Sequence, residues 1–264
     1  MHRRHRFYRH IFGVCLLVMA CMPLPSPFMR LAIAGTVLLL LLLSFELGQP
    51  VRPRQRRRHW SDVVYSWTGV AGLLVQILWM VSPATFAVVG FPLLVVIMVF
   101  IFWSLKRLLI CLAQESRIGM PVLAGAVAGY LLLGISGGLL FGVMETVAPG
   151  SFLNKAAGGH DLVLSHLPRN AVGLQVWSLD FTRIQYFAFV SLTTVGYGDI
   201  IPATPISQMA SVALSICGPL YLAIVMGLLI SRYTLQGEAE QVFRTRPPGA
   251  PDQPPQSCAD LDDR

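Results

Sequence analysis

One short segment of the chain has residue types whose spacing suits the binding of a bare cation. It reads Thr-Thr-Val-Gly-Tyr-Gly-Asp from Thr193 to Asp199. In an ordinary strand, successive carbonyls point to opposite sides. Turning them all toward one axis requires backbone angles that most L-residues avoid and that glycine tolerates, which explains Gly196 and Gly198. Stacked rings of backbone carbonyls can replace the water shell of an ion, so the segment predicts an ion site built from main-chain oxygens.

A short helix is predicted directly before this segment. Asp180 is a good N-cap residue, and about 12 residues separate it from the start of the ion site. At about 1.5 Å per residue the helix is about 18 Å long, which is too short to cross a bilayer. We therefore expect a re-entrant helix whose negative C-terminal end favours a cation at the site. Irregular backbone at membrane depth must be buried in protein or line water.

The composition predicts a membrane protein. The chain has 264 residues, of which 55% are hydrophobic and 12% charged, whereas soluble domains carry about 25% charged residues. This balance argues against soluble globular and disordered proteins. Six apolar stretches are long enough to span a bilayer, at about residues 7–24, 28–47, 63–81, 84–105, 121–147 and 206–233. The predicted fold class is therefore an all-α membrane protein of six transmembrane helices, with the re-entrant helix and the ion site between the fifth and sixth.

The basic residues predict the orientation of the chain. Sixteen of the 20 Lys and Arg residues fall in the termini and in the loops on one side of the predicted spans. This bias predicts that both termini are cytoplasmic in a multi-pass protein of the plasma membrane. The run Arg54–Arg58 is interpreted as an orientation signal, or alternatively as a patch for anionic lipids. The net charge of +7 is accounted for by this bias, so no nucleic-acid partner is expected. The first stretch also allows a signal peptide with cleavage before Cys21, which would leave five spans.

The order of outer helix, short helix, Thr-Val-Gly-Tyr-Gly segment and inner helix resembles the pore of the potassium-channel family. The resemblance covers about residues 121–233. It implies that K⁺ is bound by the carbonyls of the selectivity filter, with the Thr194 hydroxyl at its base, and that the surrounding residues support it. The implied K⁺-binding residues are Thr194, Val195, Gly196 and Tyr197, and the implied supporting residues are Thr193, Gly198, Asp199 and Tyr186.

The resemblance also implies an assembly and an activity. One filter strand supplies a quarter of each carbonyl ring, so a homotetramer is expected. Its activity would be passive, K⁺-selective conduction, with no enzymatic reaction and no cofactor beyond the permeant ion. A non-conducting or modulatory channel subunit is the alternative. A polytopic transporter or enzyme is a further one, although it would need clustered polar groups inside the spans, and none are found there.

Two positions depart from the common pattern of the family. Tyr186 stands where members often have a tryptophan that bonds the filter aspartate, so we expect its hydroxyl to reach the Asp199 carboxylate. Val190 stands where many members have an acidic residue, which puts inactivation through such a pair in doubt.

The inner helix contains Gly218-Pro219, close to the point where the family commonly has a hinge glycine. Proline should kink the helix, and both a gating hinge and a static kink remain open. The outer helix contains glycines at four-residue spacing, which we expect to pack against the inner helix: Gly125, Gly129, Gly134, Gly138 and Gly142.

The region before the pore resembles a voltage-gated arrangement but lacks its sensor. Residues 84–104 contain no charge, and Lys106 and Arg107 are expected to snorkel at the helix end. We therefore predict no conventional voltage sensing. Lys106–Gly119 is interpreted as an interfacial linker helix or a plain connector.

The chain is divided into three parts. They are an N-terminal four-helix region (1–118), a pore domain (119–235) and a disordered cytoplasmic tail (236–264). The external segment 145–179 is interpreted as a solvated loop, with a metal or proton site at His160, Asp161 and His166 as the alternative.

Overall fold

The fold is taken from a computed structural model. It describes residues 2–21, 37–45, 60–81, 90–113, 115, 119–155, 160–161 and 180–235. The arginine run Arg54–Arg58, His166 and the tail 236–264 lie outside these residues, so the predictions made for them stay predictions.

The described chain is mostly helical. Its seven helices are α1 (His2–Cys21), α2 (37–45), α3 (Trp60–Val81), α4 (Gly90–Ala113), α5 (Met120–Val147), α6 (Phe181–Leu192) and α7 (Pro205–Tyr221). A π-helical turn, Leu222–Met226, follows α7 directly, and the helix then continues to residue 235.

Three helices in the described ranges are long and apolar enough to cross a membrane: Leu94–Ala113, Met120–Val147 and Pro205–Leu235. They correspond to the predicted fourth, fifth and sixth spans. A shorter apolar helix covers Val63–Leu74, within the predicted third span. The structure therefore supports a helical membrane protein, and the count of six spans stays a prediction.

The described fold is mostly helical, as predicted, and it also contains a small sheet that was not predicted. Strands β1 (Phe152–Asn154), β2 (His160–Asp161) and β3 (Ile200–Pro202) pair antiparallel in the order β2-β1-β3. Strands this short carry almost no periodic signal in a sequence. Contacts with residues outside the strand hold β1 in place instead.

The first of these contacts is a buried carboxylate. Glu145, at the end of α5, is 1% exposed, and its two oxygens accept hydrogen bonds from the backbone N–H groups of Gly150 (2.8 Å) and Phe152 (2.9 Å). The second is an aromatic cluster, in which the Phe152 ring lies 5.0 Å from Phe141 and 5.4 Å from Phe187. Both fix β1 against the helices that carry the predicted pore.

Helices α1 and α4 pack on α5 and share one core with it. Tyr8 near the start of α1 lies against Gly125 near the start of α5, while Leu94 and Leu108 of α4 lie near Gly142 and Gly129. Helix α4 is therefore antiparallel to α5, and α1 runs parallel to it. This alternation is what consecutive membrane spans require.

The end of α4 differs from the prediction. Helix α4 continues to Ala113, and Leu108 and Leu112 are buried in the main core, so this stretch is not a separate interfacial helix. Lys106 is exposed, but Arg107 is only 5% exposed and its guanidinium lies 4.6 Å from the ring centre of Tyr65. Arg107 does not snorkel, because a cation over an aromatic face gains a favourable interaction inside the bundle.

Candidate functional site

Helix α6 ends where the predicted ion site begins. The Asp180 carboxylate accepts a hydrogen bond from the Arg183 N–H (3.2 Å) and pairs with the Arg183 guanidinium (3.1 Å), so the predicted helix and its cap are confirmed. At the other end the Thr193 N–H donates to the Phe189 carbonyl (2.9 Å), and the Val195 N–H donates to the Val190 carbonyl (3.1 Å). The segment is thus tied to the last turn of the helix.

The backbone of the segment alternates between left-handed and right-handed conformations. Thr194 (φ 59°), Gly196 (φ 59°) and Gly198 (φ 77°) have positive φ, whereas Val195 and Tyr197 between them do not. Alternating left- and right-handed residues turn successive carbonyls to the same side, which a regular strand cannot do. The two glycines adopt the conformation predicted for them.

Thr194 was not predicted to have a positive φ. For a β-branched residue this conformation is a genuine outlier and costs roughly 1–2 kcal/mol. Such strain persists where the surrounding structure enforces it, and it is found at functional sites. No local sequence signal marks it, because glycine is the usual residue in this region.

The segment is open to its surroundings in the single chain. Residues 193–198 are all exposed, with Val195 at 52% and Tyr197 at 70%. Large apolar side chains of the following helix, α7, are also exposed, including Ile206 and Met209. One chain supplies one row of backbone carbonyls along this segment.

Tyr186 and Tyr197 form a stacked pair beside this segment. Their rings are parallel to within 2°, with centres 6.4 Å apart. The pKa of the Tyr186 hydroxyl is raised by desolvation and, to a lesser degree, by the Asp199 carboxylate beside it. The predicted hydrogen bond between these two groups stays a prediction. The structure therefore brings Tyr186, Tyr197 and Asp199 together.

Strand β1 holds the chain just after the segment, a contact that the sequence did not indicate. The Lys155 N–H donates to the Asp199 carbonyl (2.8 Å), and the Ala203 N–H donates to the Ser151 carbonyl (2.8 Å). Between these two bonds β1 pairs with β3. The chain is thereby fixed to β1 both at Asp199 and at Ala203.

Comparisons with known proteins agree with this geometry. Residues 161–234 match the sequence model of a family described as "Ion channel". A protein of Rhodopseudomonas palustris, provisionally named a potassium channel protein, is 39% identical over 49 residues, which cover 19% of this chain and 12% of that protein. A voltage-gated potassium channel of Aeropyrum pernix is 39% identical over 57 residues, which cover 21% of this chain and 19% of that protein.

Residues 161–234 are therefore similar to an ion-channel family, and short parts of the chain are similar to two proteins named as potassium channels. The chain spans less than a fifth of the length of either relative in these alignments. The matches therefore concern a short part of each protein.

The glycines of α5 have a different partner from the one predicted. A Cβ at Gly134, Gly138 or Gly142 would crowd side chains of the pore helix α6, and one at Gly125 would crowd Tyr8 of α1. Gly129 does face the inner helix, as predicted. The prediction for the stripe 134–138–142 was wrong because spacing shows that a helix approaches closely but does not show which one.

Gly218 lies at a close contact between the inner helix and the pore helix. A Cβ there would overlap the backbone carbonyl oxygen of Leu192, the last residue of α6. Near it, the Tyr221 hydroxyl donates to the Ala126 carbonyl (2.7 Å) and anchors the inner helix to α5. The structure thus gives Gly218 a packing role, whether or not it is a hinge.

Pro219 lies inside α7, and the helix continues past it. The irregularity follows one turn later, as the π-helical turn Leu222–Met226. π-turns inside helices are frequent at functional sites. The choice between a hinge and a static kink stays open, and the π-helical turn Leu222–Met226 is a second candidate position for a hinge.

Proposed function

We propose that this protein is a subunit of a K⁺-selective channel that conducts passively through a tetrameric pore. The observation that carries the proposal is the alternation of positive φ at Thr194, Gly196 and Gly198, with two residues of negative φ between them. An alternation of this kind turns successive carbonyls to the same side, which supports K⁺ binding by the carbonyls from Thr194 to Tyr197, because rings of such oxygens replace the hydration shell of K⁺.

The electrostatics of the pore helix support a cation at the filter. Helix α6 ends at Leu192, and the filter starts within one turn of that end. The C-terminal end of a helix carries a partial charge of about −0.5, which favours a cation nearby. Thr193 and Gly198 flank the ion sites, while Asp199 and Tyr186 support the filter at its outer end.

The residues that one chain leaves exposed support a homotetramer. The filter and the apolar side chains of α7 are open on the single chain, among them Tyr197 (70% exposed) and Ile206 (75% exposed). Four copies around one axis would cover both and would complete each carbonyl ring. The same need for four strands makes a pore of one chain impossible.

We infer that the channel is not opened by a conventional voltage sensor. Such a sensor moves 3–4 charges per subunit, each contributing about 2.3 kcal/mol per 100 mV. Helix α4 carries no charge from Leu94 to Leu105, and its basic residues, Lys106 and Arg107, lie in its last two turns. The voltage dependence of opening should accordingly be shallow.

The distribution of the Lys and Arg residues supports a location and an orientation. We propose a multi-pass protein of the plasma membrane with both termini cytoplasmic. Anionic lipid headgroups are candidate partners for Arg54–Arg58, while no cofactor, enzymatic activity or nucleic-acid partner is proposed. Charge-reversing Arg54–Arg58 and measuring binding to vesicles with and without anionic lipid would test the lipid contact.

Flux from the purified full chain in liposomes tests the main proposal. We expect K⁺ flux well above Na⁺ flux, changing little with voltage, and a tetramer by native mass spectrometry. Gly198→Ala is the control, because alanine is strained at φ 77°, and it should abolish selective flux while leaving the tetramer. A folded wild-type tetramer without flux would instead favour a non-conducting subunit.

A further inference from the structure

Three side chains of the pore helix lie on three glycines of α5. Phe181 lies against Gly142, Gln185 against Gly138 and Phe189 against Gly134. The side chains are four residues apart on one helix, and the glycines are four residues apart on the other. The two helices therefore run antiparallel in one fixed register, and we call the three glycines of α5 (134, 138 and 142) the glycine track.

A glycine track brings the helices close but holds their axial position weakly. The phenyl rings of Phe181 and Phe189 contact backbone on a surface without side chains. A small slide of α6 along the track would exchange one set of weak dispersion contacts for another, each worth about 0.1–0.2 kcal/mol per atom pair. Close approach alone therefore leaves α6 free to slide along the axis of α5.

Gln185 adds a contact that does depend on axial position. Its side chain is 6% exposed, and its Nε2 donates a hydrogen bond to the Gly134 carbonyl (2.9 Å), one turn along the track from the glycine it lies on. Hydrogen bonds weaken steeply with distance and angle. A buried amide that loses its partner also pays the cost of desolvation without compensation.

The filter starts at the end of the helix that Gln185 fixes. Two turns after Gln185, α6 ends at Leu192, and the N–H groups of Thr193, Thr194 and Val195 bond to its last turn. A shift of α6 along its axis would therefore carry the first filter residues with it. Helix α5 is a firm reference for this position, because it shares the main core with α1 and α4.

We propose that Gln185 is a positioning residue for the filter. Its hydrogen bond to the Gly134 carbonyl fixes the axial position of α6 on the glycine track, and so fixes where the ring of carbonyls begins. This inference rests on the proposed function, since it assigns a residue that sets the selectivity of that same site.

The test compares two glutamine-to-methionine substitutions in the full chain. Gln185→Met keeps the length and volume of the side chain and removes the N–H donor. Gln208→Met is the matched control, because Gln208 is exposed and its Nε2 is 3.5 Å from the Pro202 carbonyl, at the limit of a hydrogen bond. The readouts are the K⁺/Na⁺ permeability ratio in liposomes and the hydrogen–deuterium exchange of residues 184–192.

We expect the permeability ratio of Gln185→Met to fall by about tenfold, which is the scale of one lost hydrogen bond. The exchange of residues 184–192 should rise with it, while Gln208→Met stays at wild-type values. Gln185→His keeps an N–H donor of similar reach, so it should retain more of the ratio and of the protection. A merely space-filling role would give the opposite order, since methionine fills the site better than histidine.

Wild-type selectivity and wild-type exchange in Gln185→Met would overturn the proposal. If Gln185→Met does not assemble, Gln185→His decides: protection near that of the wild type supports the proposal, and loss of protection despite the donor overturns it. If the wild-type protein does not conduct at all, the proposed function fails. The exchange experiment then still decides whether Gln185 fixes α6.

Discussion

Replacement of Gly218 by alanine should damage the filter rather than a hinge. The added Cβ would overlap the carbonyl oxygen of Leu192 and would lie 3.0 Å from its carbonyl carbon and 3.3 Å from its Cδ1. Leu192 is fully buried and ends the pore helix. Backbone atoms at this position cannot rotate away as the end of a flexible side chain can, so one of the two helices must move.

The size of the movement follows from the contact distances. Carbon atoms pack best at about 3.5–4.0 Å, so the contact to the Leu192 carbonyl carbon alone requires a shift of about 0.5–1 Å, and the oxygen requires more. Overpacking of this kind costs about 1–3 kcal/mol. A tetramer would contain four such shifts around one axis, each two residues before Thr194, the first of the proposed ion-binding residues. Because 1.4 kcal/mol is a factor of ten, we expect the K⁺/Na⁺ permeability ratio to fall by about tenfold or more.

The assay is the reversal potential under bi-ionic K⁺ and Na⁺ conditions in planar bilayers. Gly227→Ala is the matched control, since a Cβ at Gly227 would meet no atom of the chain within 4 Å, and its permeability ratio should equal that of the wild type. The reasoning is refuted if Gly218→Ala changes the open probability while the permeability ratio stays at the wild-type value. That result would restore the hinge as the role of Gly218.

Three further outcomes are expected. Tyr65→Phe removes a buried hydroxyl that lies 2.7 Å from the Ser104 hydroxyl, so the unfolding temperature in detergent should drop, corresponding to about 1 kcal/mol; an unchanged midpoint would contradict this. Tyr186→Phe removes the hydroxyl that lies beside the Asp199 carboxylate, so K⁺ current should decay faster during sustained opening, and unchanged decay would contradict this. Desolvation and the nearby Asp199 carboxylate raise the pKa of Tyr186 above its usual 10.0. The neutral hydroxyl therefore contributes in full below pH 10 and is lost only as the pH rises through the higher native value, so wild-type current decay should not change through this group at pH 7–9. Glu145→Gln replaces one acceptor oxygen by a donor, so limited proteolysis should cut residues 148–155 faster than in the wild type.

The parts of the site that the sequence predicted are local ones. The bounds of α6 and its cap at Asp180 depend on residues a few positions apart, and so does the positive φ of Gly196 and Gly198. Capping chemistry and glycine geometry are properties of the chain segment itself. Each could therefore be inferred without knowing what packs against the segment.

The parts that were missed depend on distant partners. Arg107 is buried because Tyr65 of another helix offers it an aromatic face. The local sequence, with Lys106 next to Arg107 near a helix end, does not indicate this contact. The partner of the stripe 134–138–142 is likewise set by how three helices assemble. Strand β1 exists because Glu145 and β3 hold it, and the strained Thr194 is enforced by its surroundings.

The π-helical turn Leu222–Met226 affects how the inner helix tolerates changes of length. A π-turn contains one residue more than the α-helical turn it replaces. Deleting a single residue there would leave an ordinary α-helix. The residues before and after the deletion would stay on the same faces of the helix as before. The same deletion within α5 would rotate the residues that follow it by about 100° about the helix axis. The glycine track would then no longer face the pore helix. Insertions and deletions of one residue should therefore be tolerated between 222 and 226, and excluded from α5.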